Sequence, residues 1–320
     1  MHVRRALRRG SKIGGVMAEF DSVILFGAGA SAGLTGVVPE RPPLGGQLFG
    51  RLAHHFPGTW GALPTSLRAT FLDDGFEEGM AIIFRHHSRN LPALMQHMSL
   101  FFSSFDIVLS AANLNRYCQL AQLVEDQTLE NTLFSTLNYD CLFEIACASR
   151  RLPFDYFEAP EGAVPIWKLH GSCNFRSAWI NRSRGASPSA KTSVPDPIEQ
   201  MEIADARDVW QAAAGSPPTM SIYLKDGYAQ TGHPQIRELQ ARWGHMVRAA
   251  QCVVVVGVRP LPGDDHIWGP LAETPANLIY VGEGAAFRRW AVQYRTGGES
   301  DFAGSTFDQG FEAIVDALLQ

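Results

Sequence analysis

The stretch that most constrains this chain is Ser22–Ser31, SVILFGAGAS. Val23, Ile24, Leu25 and Phe26 are apolar in succession, so neither side of the segment is suited to water. That pattern predicts a short strand buried on both faces, as in a parallel sheet covered by helices. The strand stops on Gly27-Ala28-Gly29-Ala30-Ser31. Glycines at 27 and 29 permit a tight turn and close approach of the backbone to a ligand. The residues that follow can open a helix whose free N–H groups face an anion, most often a phosphate. A plain turn reads the same way, and the later strand ends bear on the choice.

Two further runs repeat the design. Thr132–Asp140, TLFSTLNYD, is an apolar strand ending on polar groups, with Asn138 and Asp140 at its carboxyl end and a helix, CLFEIACASR, after it. Val164–Ser172, VPIWKLHGS, carries His170 at its tip, and Gly171 allows close approach there. Polar side chains at the carboxyl ends of parallel strands face the ligand crevice of an open α/β sheet. Cys252–Val258, CVVVVGV, ends on Gly257 and the turn RPLPGDDH, and Asn277–Val281 is read as the last strand. An amphipathic helix over Phe307–Leu319 closes the chain, with Phe311, Ile314, Val315 and Leu318 on one face. The fold class expected is α/β: a Rossmann-like, doubly wound parallel sheet with an inserted helical module.

The module lies at about 47–126, where LFGRLAHHF, MAIIFRHHS, LPALMQHMSLFFSSF and LNRYCQLAQLVED carry helical apolar spacing between Pro and Gly breaks. Its pairs His54–His55 and His86–His87 lack metal-ligand spacing and are read as surface or core residues. Gly33–Gly46 holds four Gly and three Pro, which predicts a loop, and its position after the glycine turn makes it a candidate lid. Residues 174–218 are polar and rich in Ser, Pro and Gly, so an exposed, mobile segment is expected. Residues 1–17 are read as a flexible basic tail, with Arg4, Arg5, Arg8, Arg9 and Lys12 and no acid in the first dozen. An organelle-targeting peptide is the alternative, and Met17 is a second candidate start. The remainder, 18–320, is then one domain.

A net charge of −5 argues against non-specific nucleic-acid binding by the whole surface, and no direct sequence-specific nucleic-acid binding is expected. The five cysteines form no CxxC pair, which disfavours a zinc ribbon and suits a reducing cytoplasm. There is no apolar run of membrane-spanning length, and no metal is expected.

Taken in order, GAGAS at Gly27–Ser31, TLNYD at Thr136–Asp140 and LHGS at Leu169–Ser172 resemble the sirtuin (silent-information-regulator) NAD-binding fold. The strand VVVVG with the turn bearing Asp264, Asp265 and His266 is similar to the family's late ribose-binding segment. The overall form resembles the prokaryotic sirtuin-like NADases of antiviral defence more than the protein deacylases. The departures point the same way. The four-cysteine zinc ribbon is absent, GVVPER at Gly36–Arg41 stands where the family has GIPDFR, and Gly257-Val258-Arg259 stands where it has GTS. The aromatic of the GIPDFR motif is missing, while its arginine is kept as Arg41. The resemblance implies NAD as substrate and Asn138, His170 and Asp140 as catalytic residues. It implies binding by Gly27, Ala28, Gly29, Ala30, Ser31, Arg41, Gly257, Asp265 and His266.

Elementary chemistry agrees. Cleaving the nicotinamide–ribose bond builds positive charge on the anomeric carbon while a neutral group leaves. An enzyme must therefore hold the pyrophosphate, position the ribose and direct water. Asn138 can both donate and accept. His170 can take a proton from a ribose hydroxyl or from that water at neutral pH. Asp140 could orient Asn138, bond a ribose hydroxyl or cap the following helix. The leading expectation is an NAD glycohydrolase. A deacylase or ADP-ribosyltransferase and a non-catalytic nucleotide sensor are the competitors. A dehydrogenase is disfavoured, because no strand bearing an acid follows the glycines about 20 residues on. An enzyme that consumed NAD constitutively would drain its own cell. Gating is therefore expected from self-assembly and from a separate sensor or ATPase partner, docking on exposed members of Phe84, Leu94, Met95, Phe101, Phe102 and Phe105.

Overall fold

The computed structural model describes residues 20–129, 131–177, 197–212, 218–221, 233–261 and 264–319. The chain opens with β1 (Ser22–Phe26), α1 (Ala28–Ala32) and β2 (Val37–Val38), then α2 (Gly45–His55), α3 (Thr65–Asp73), α4 (Phe76–His86) and α5 (Leu91–Phe102). Next come β3 (Asp106–Ile107), α6 (Arg116–Glu125), β4 (Thr132–Thr136), α7 (Leu142–Ser149), β5 (Phe154–Asp155) and β6 (Val164–Lys168). A smaller group follows: β7 (Gly171–Ser177), β8 (Ile198–Gln200), α8 (Ile203–Ala212) and β9 (Pro218–Met220). The last part is α9 (Pro234–Ala249), β10 (Cys252–Val256), α10 (Asp265–Glu273), β11 (Asn277–Val281), α11 (Gly284–Tyr294), β12 (Ser300–Gly304) and α12 (Phe307–Leu318).

Seven strands form one parallel sheet in the order β12-β11-β10-β1-β4-β6-β5. Side chains alternate across it. Ile24 and Phe26 join Phe134, Ile166, Val254 and Val256 in the core beneath the inserted helices, α7 and α12. Val23 and Leu25 join Leu133, Trp167, Val253 and Val255 beneath α9, α10 and α11. Both faces of the central strands are thus dry, which is why their sequences are unbroken apolar runs. The α/β, doubly wound reading holds. From β1 the order grows one way through β4 and β6, then returns to place β10 on the other side of β1. The β1/β10 junction is therefore the point where strand order reverses, and the carboxyl ends beside it form the natural crevice.

Four expectations need correction. Ser300–Gly304 is a further strand, β12, at the sheet edge. It is half exposed, and its SDFAG therefore lacks a continuous apolar run. The segment at 174–218 is not uniformly irregular: β7 runs on to Ser177, and 197–212 form β8 and α8, while 178–196 and 213–217 lie outside the described residues. Trp210 anchors α8, fully buried and donating its indole N–H to the Cys173 carbonyl at 2.6 Å. Five of the six apolar residues offered as a partner surface are core: Leu94, Met95, Phe101, Phe102 and Phe105 are buried, and Phe84 is half-buried. The exposed apolar residues of that region are Leu72, Val108, Leu109 and Leu114 instead. The Gly33–Gly46 loop is also tied down. Val37 and Val38 pair with Ile107 and Asp106, Val108 N–H donates to the Gly36 carbonyl, and Asn115 Nδ2 donates to the Thr35 carbonyl. Glu40 ion-pairs with Arg51 and is hydrogen-bonded to His55 Nε2, both of α2.

The turns after β1 and β10 meet almost atom to atom. Gly29 N–H donates to the Gly257 carbonyl at 3.0 Å, and Gly257 has φ +69°. A β-carbon on Gly257 would stand 2.3 Å from the Ala30 nitrogen and 2.6 Å from the Gly29 Cα. Gly257→Ala is expected to cost about 2 kcal/mol or more, since the left-handed backbone alone costs about 1–2 kcal/mol for a residue with a side chain. Urea unfolding of the variant checks this, and unchanged stability would contradict the packing described.

Candidate active site

Register brings the predicted residues to one level. Phe26 pairs with Val256 on one side and Thr136 on the other, and Thr136 pairs with Lys168. One and two residues beyond these positions the chain leaves the sheet as Gly27, Gly257, Asn138 and His170. The four strand ends of the sequence analysis therefore stand side by side at the carboxyl edge of the sheet, at its reversal point, where an open α/β sheet offers its ligand crevice.

Asn138 is buried and fastens the glycine turn. Its Nδ2 donates to the Gly27 carbonyl at 2.9 Å and to Ser31 Oγ at 3.0 Å, while its own N–H donates to Thr136 Oγ1. Ser31 Oγ also lies 3.3 Å from the Tyr117 hydroxyl of α6. Burial, and then the Asp140 carboxylate, push the Tyr117 phenol well above its ordinary range, so it is a neutral hydrogen-bonding group. Asp140 Oδ1 accepts the Leu142 N–H at 3.2 Å, so the helix-capping role is present, and its carboxyl is also in contact with Ser31. Burial raises the Asp140 pKa despite opposing help from Lys168 and the Leu142 N–H.

The glycine turn uses much of its own hydrogen-bonding capacity. Gly27 N–H donates to the Val256 carbonyl, Gly29 N–H to the Gly257 carbonyl and Ala30 N–H to the Gly27 carbonyl. Among the described residues the N–H of Ala28 has no partner in the chain. Gly27 and Gly29 are needed first for packing, since added β-carbons would lie 2.6 and 2.8 Å from Gly257. A branched residue at Gly29 would disturb the fold as well as any ligand.

Beneath the turn sits a buried ion pair that sequence reasoning missed. Lys168 Nζ lies 3.0 Å from Glu144 Oε1 and donates to the Asp140 main-chain carbonyl at 2.5 Å, with both side chains inaccessible. Among the described residues no donor is aligned on Glu144 Oε1 in hydrogen-bond geometry, so that contact is ionic. Burial alone would lower the Lys168 pKa, and the neighbouring carboxylate of Glu144 outweighs it and keeps the ammonium charged. Burial raises Glu144, with Lys168 opposing. The signal was legible: one lysine within VPIWKLH and one glutamate within CLFEIAC are single charges in apolar runs, which need each other. Tyr117 gave no comparable signal.

His170 is 9% exposed, between β6 and β7. Its main-chain carbonyl accepts the Ser221 N–H at 2.8 Å, and Tyr139 donates its hydroxyl to the Ser221 carbonyl, so the small sheet fixes the His170 turn. Gly171, at φ +78°, allows that sheet to close: a β-carbon would lie 2.1 Å from the Thr219 carbonyl oxygen. His170 Nε2 stands 3.2 Å from Nε2 of His266, in the first turn of α10. Burial, and then His266, hold His170 well below the usual histidine range. Burial lowers His266 to about 4, with Asp265 opposing. Both imidazoles are therefore neutral at pH 7. Asp265 itself is exposed, and Arg41 is exposed on its loop without an ion pair among the described residues. Asp264 is raised to about 6 by burial and by Glu77 of α4 and Asp265. A cavity of about 460 Å³ lies elsewhere, between Val38, Phe56, Leu100, Phe101 and Arg207, and none of the strand-end residues lines it. Among the described residues no group of three or more His, Cys, Asp or Glu could hold a metal, and no helix is long and apolar enough to cross a membrane.

No protein-family model matches the chain, and no curated protein matches it. Among solved structures it is similar to a Sir2 bound to a p53 peptide and NAD+, at 12% identity and a TM-score of 0.42, over 92% of this chain and 90% of that one. It is also similar to a complex of a Sir2 homolog with NAD, at 14% identity and a TM-score of 0.39, over 94% and 89%. A third similar chain comes from work on sirtuin substrate affinity, at 12% identity and a TM-score of 0.38, over 81% of each chain. At these levels the likeness carries nothing further, and the crevice is read from its own side chains.

Two outcomes are expected from this geometry. Lys168→Met should cost about 3–5 kcal/mol in chemical denaturation by stranding Glu144, and Lys168→Met with Glu144→Leu should recover most of it. Stability should also depend on pH through His266. Its folded pKa of about 4 lies below the unfolded value of about 6.5, so the unfolded chain binds more protons between them. That contribution is complete above pH 6.5 and is lost as pH falls toward 4. The fall in melting temperature over this window should be shallower in His266→Gln, with His170, also held below its unfolded value, supplying part of the slope that remains.

Proposed function

We propose that the chain is an NAD glycohydrolase, converting NAD+ and water to nicotinamide, ADP-ribose and a proton. The observation that carries this reading is the pairing of Asn138 and His170, on adjacent strand ends, in a crevice beside the glycine turn. NAD is the substrate. Its pyrophosphate would be held near the Ala28 N–H and Ser31, with Arg41 supplying charge and the turn at Gly257 shaping the floor. Asp265 would meet a ribose hydroxyl.

In this reading Asn138 orients the ribose or the attacking water, while Ser31, Tyr117 and Asp140 hold it in place. His170 is neutral at physiological pH and can act as a base. Lys168 and Glu144 keep the Asn138–Asp140 turn rigid from below, as positioning residues. The role proposed in the cell is that of a toxic effector in prokaryotic antiviral or anti-plasmid defence. The motif order and the hazard of unrestrained NAD consumption support it. Restraint would come from self-association or a separate sensor or ATPase partner. A protein deacylase remains the alternative chemistry and differs in needing an acyl-lysine peptide.

Incubating the protein with NAD and resolving the products separates these readings. Nicotinamide and ADP-ribose without added peptide are expected, and strict dependence on an acyl peptide would overturn hydrolysis in favour of deacylation. His170→Ala and Asn138→Ala should each lower kcat by about 10²–10⁴-fold, the usual weight of a positioned acid–base or orienting group. Near-normal turnover in either folded variant would remove that residue from the mechanism. The specific rate should also rise with protein concentration or on addition of the partner, measured alongside mass by light scattering. A fully active, concentration-independent monomer would refute gating.

A further inference from the structure

Folded chains pack closely and leave few spaces larger than a water molecule between their elements. The cavity of about 460 Å³ away from the strand ends departs from that rule. The loop after α1 contributes Val38 to it, the end of α2 His55 and Phe56, the end of α5 Phe101, and α8 Arg207 and Gln211. These walls are well held. Val38 pairs with Asp106, Phe56 is stacked on His97 with ring centroids 4.4 Å apart, and Phe101 packs edge-on against Phe105. Two hydrogen bonds fix α8: Gln96 Nε2 donates to the Trp210 carbonyl at 2.6 Å, and Trp210 donates to the Cys173 carbonyl. The cavity is thus preformed, and its size falls within the roughly 300–1,000 Å³ usual for small-molecule sites.

Its lining is chemically uneven. Three rings, Phe56, Phe101 and His55, face one space, which suits a flat aromatic body. His55 is already engaged at Nε2 by Glu40, and Glu40 is held by Arg51 as well. Arg207 is exposed and has no ion pair among the described residues, Asp205 and Asp208 of its own helix included. Gln211, one helical turn on, adds an amide N–H on the same face. A guanidinium beside a neutral amide matches one carboxylate, two oxygens against a planar fork, better than a doubly charged phosphate. We propose that this cavity is a second ligand site, taking an aromatic monocarboxylate with its ring among Val38, Phe56 and Phe101 and its carboxylate on Arg207. None of the strand-end residues lines it, so it is separate from the crevice assigned to NAD and stands independently of the hydrolysis reading.

Calorimetric titration of the full chain with sodium 1-naphthoate and with neutral 1-naphthamide tests the site. The two probes share a bicyclic ring and differ in charge. One naphthoate should bind per chain, at least about tenfold more tightly than the amide, the weight of a charge-assisted hydrogen bond. Arg207→Met keeps the apolar stem but removes the fork, so it should erase that preference while the amide binds as before. Gln211→Trp puts a large side chain into the space and should weaken both probes. Both positions are exposed, so both variants should fold, which circular dichroism verifies. Absence of naphthoate binding to the wild type, or equal affinity for acid and amide, would overturn the proposal. So would a naphthoate affinity left unchanged by either folded variant, since the acid would then be binding elsewhere.

Discussion

The arrangement depends on a contact between pieces of backbone. The turn after β1 lies on the end of β10, with Gly27 and Gly29 against Gly257 and one N–H of Gly29 given to the Gly257 carbonyl. None of the three positions has room for a β-carbon. This close approach puts the two strand ends that flank the reversal point of the sheet side by side. Asn138 then reaches the Gly27 carbonyl and Ser31 from the next strand, and α1 starts in a fixed direction. A looser junction would leave Asn138 without its partners and the crevice without a floor.

Much of this was legible in the chain itself. The runs VILF, TLF and VVVV announced strands dry on both faces, and their endings in Gly27, Asn138, His170 and Gly257 located the crevice. What escaped the sequence did so for physical reasons. β12 is an edge strand half in water, so SDFAG shows no apolar run. The α8 region reads as polar because one large residue, Trp210, supplies most of its burial. Tyr117 reaches Ser31 from 86 residues away in sequence, a contact that only the folded chain creates. The Phe-rich insert could have been surface or core by pattern alone. In the structure it shares one continuous core with the sheet and so cannot be a separable module.

The electrostatics divide the site into two layers. Below the turn, Lys168 and Glu144 are charged, paired and dry, holding the main chain of Asp140 in place. At the strand ends themselves Asn138, Ser31, Tyr117 and the two imidazoles are neutral, and the ionic groups proposed to meet NAD, Arg41 and Asp265, are exposed ones. Neutral lining suits a reaction in which positive charge moves from a pyridinium to a ribosyl carbon, because a fixed cation there would oppose it. The burial that lowers both histidines also keeps His170 ready as a base across the physiological range.

The central claim is that the nicotinamide-ribose end of NAD sits among the ends of β1, β4 and β6. A crystal structure of His170→Ala soaked with NAD tests it most directly. The account predicts intact dinucleotide, with its nicotinamide ribose beside Asn138 and its pyrophosphate over Ala28–Ser31. Dinucleotide bound instead in the cavity between Phe56, Phe101 and Arg207, or a strand-end crevice that stays empty at saturating NAD, would contradict it.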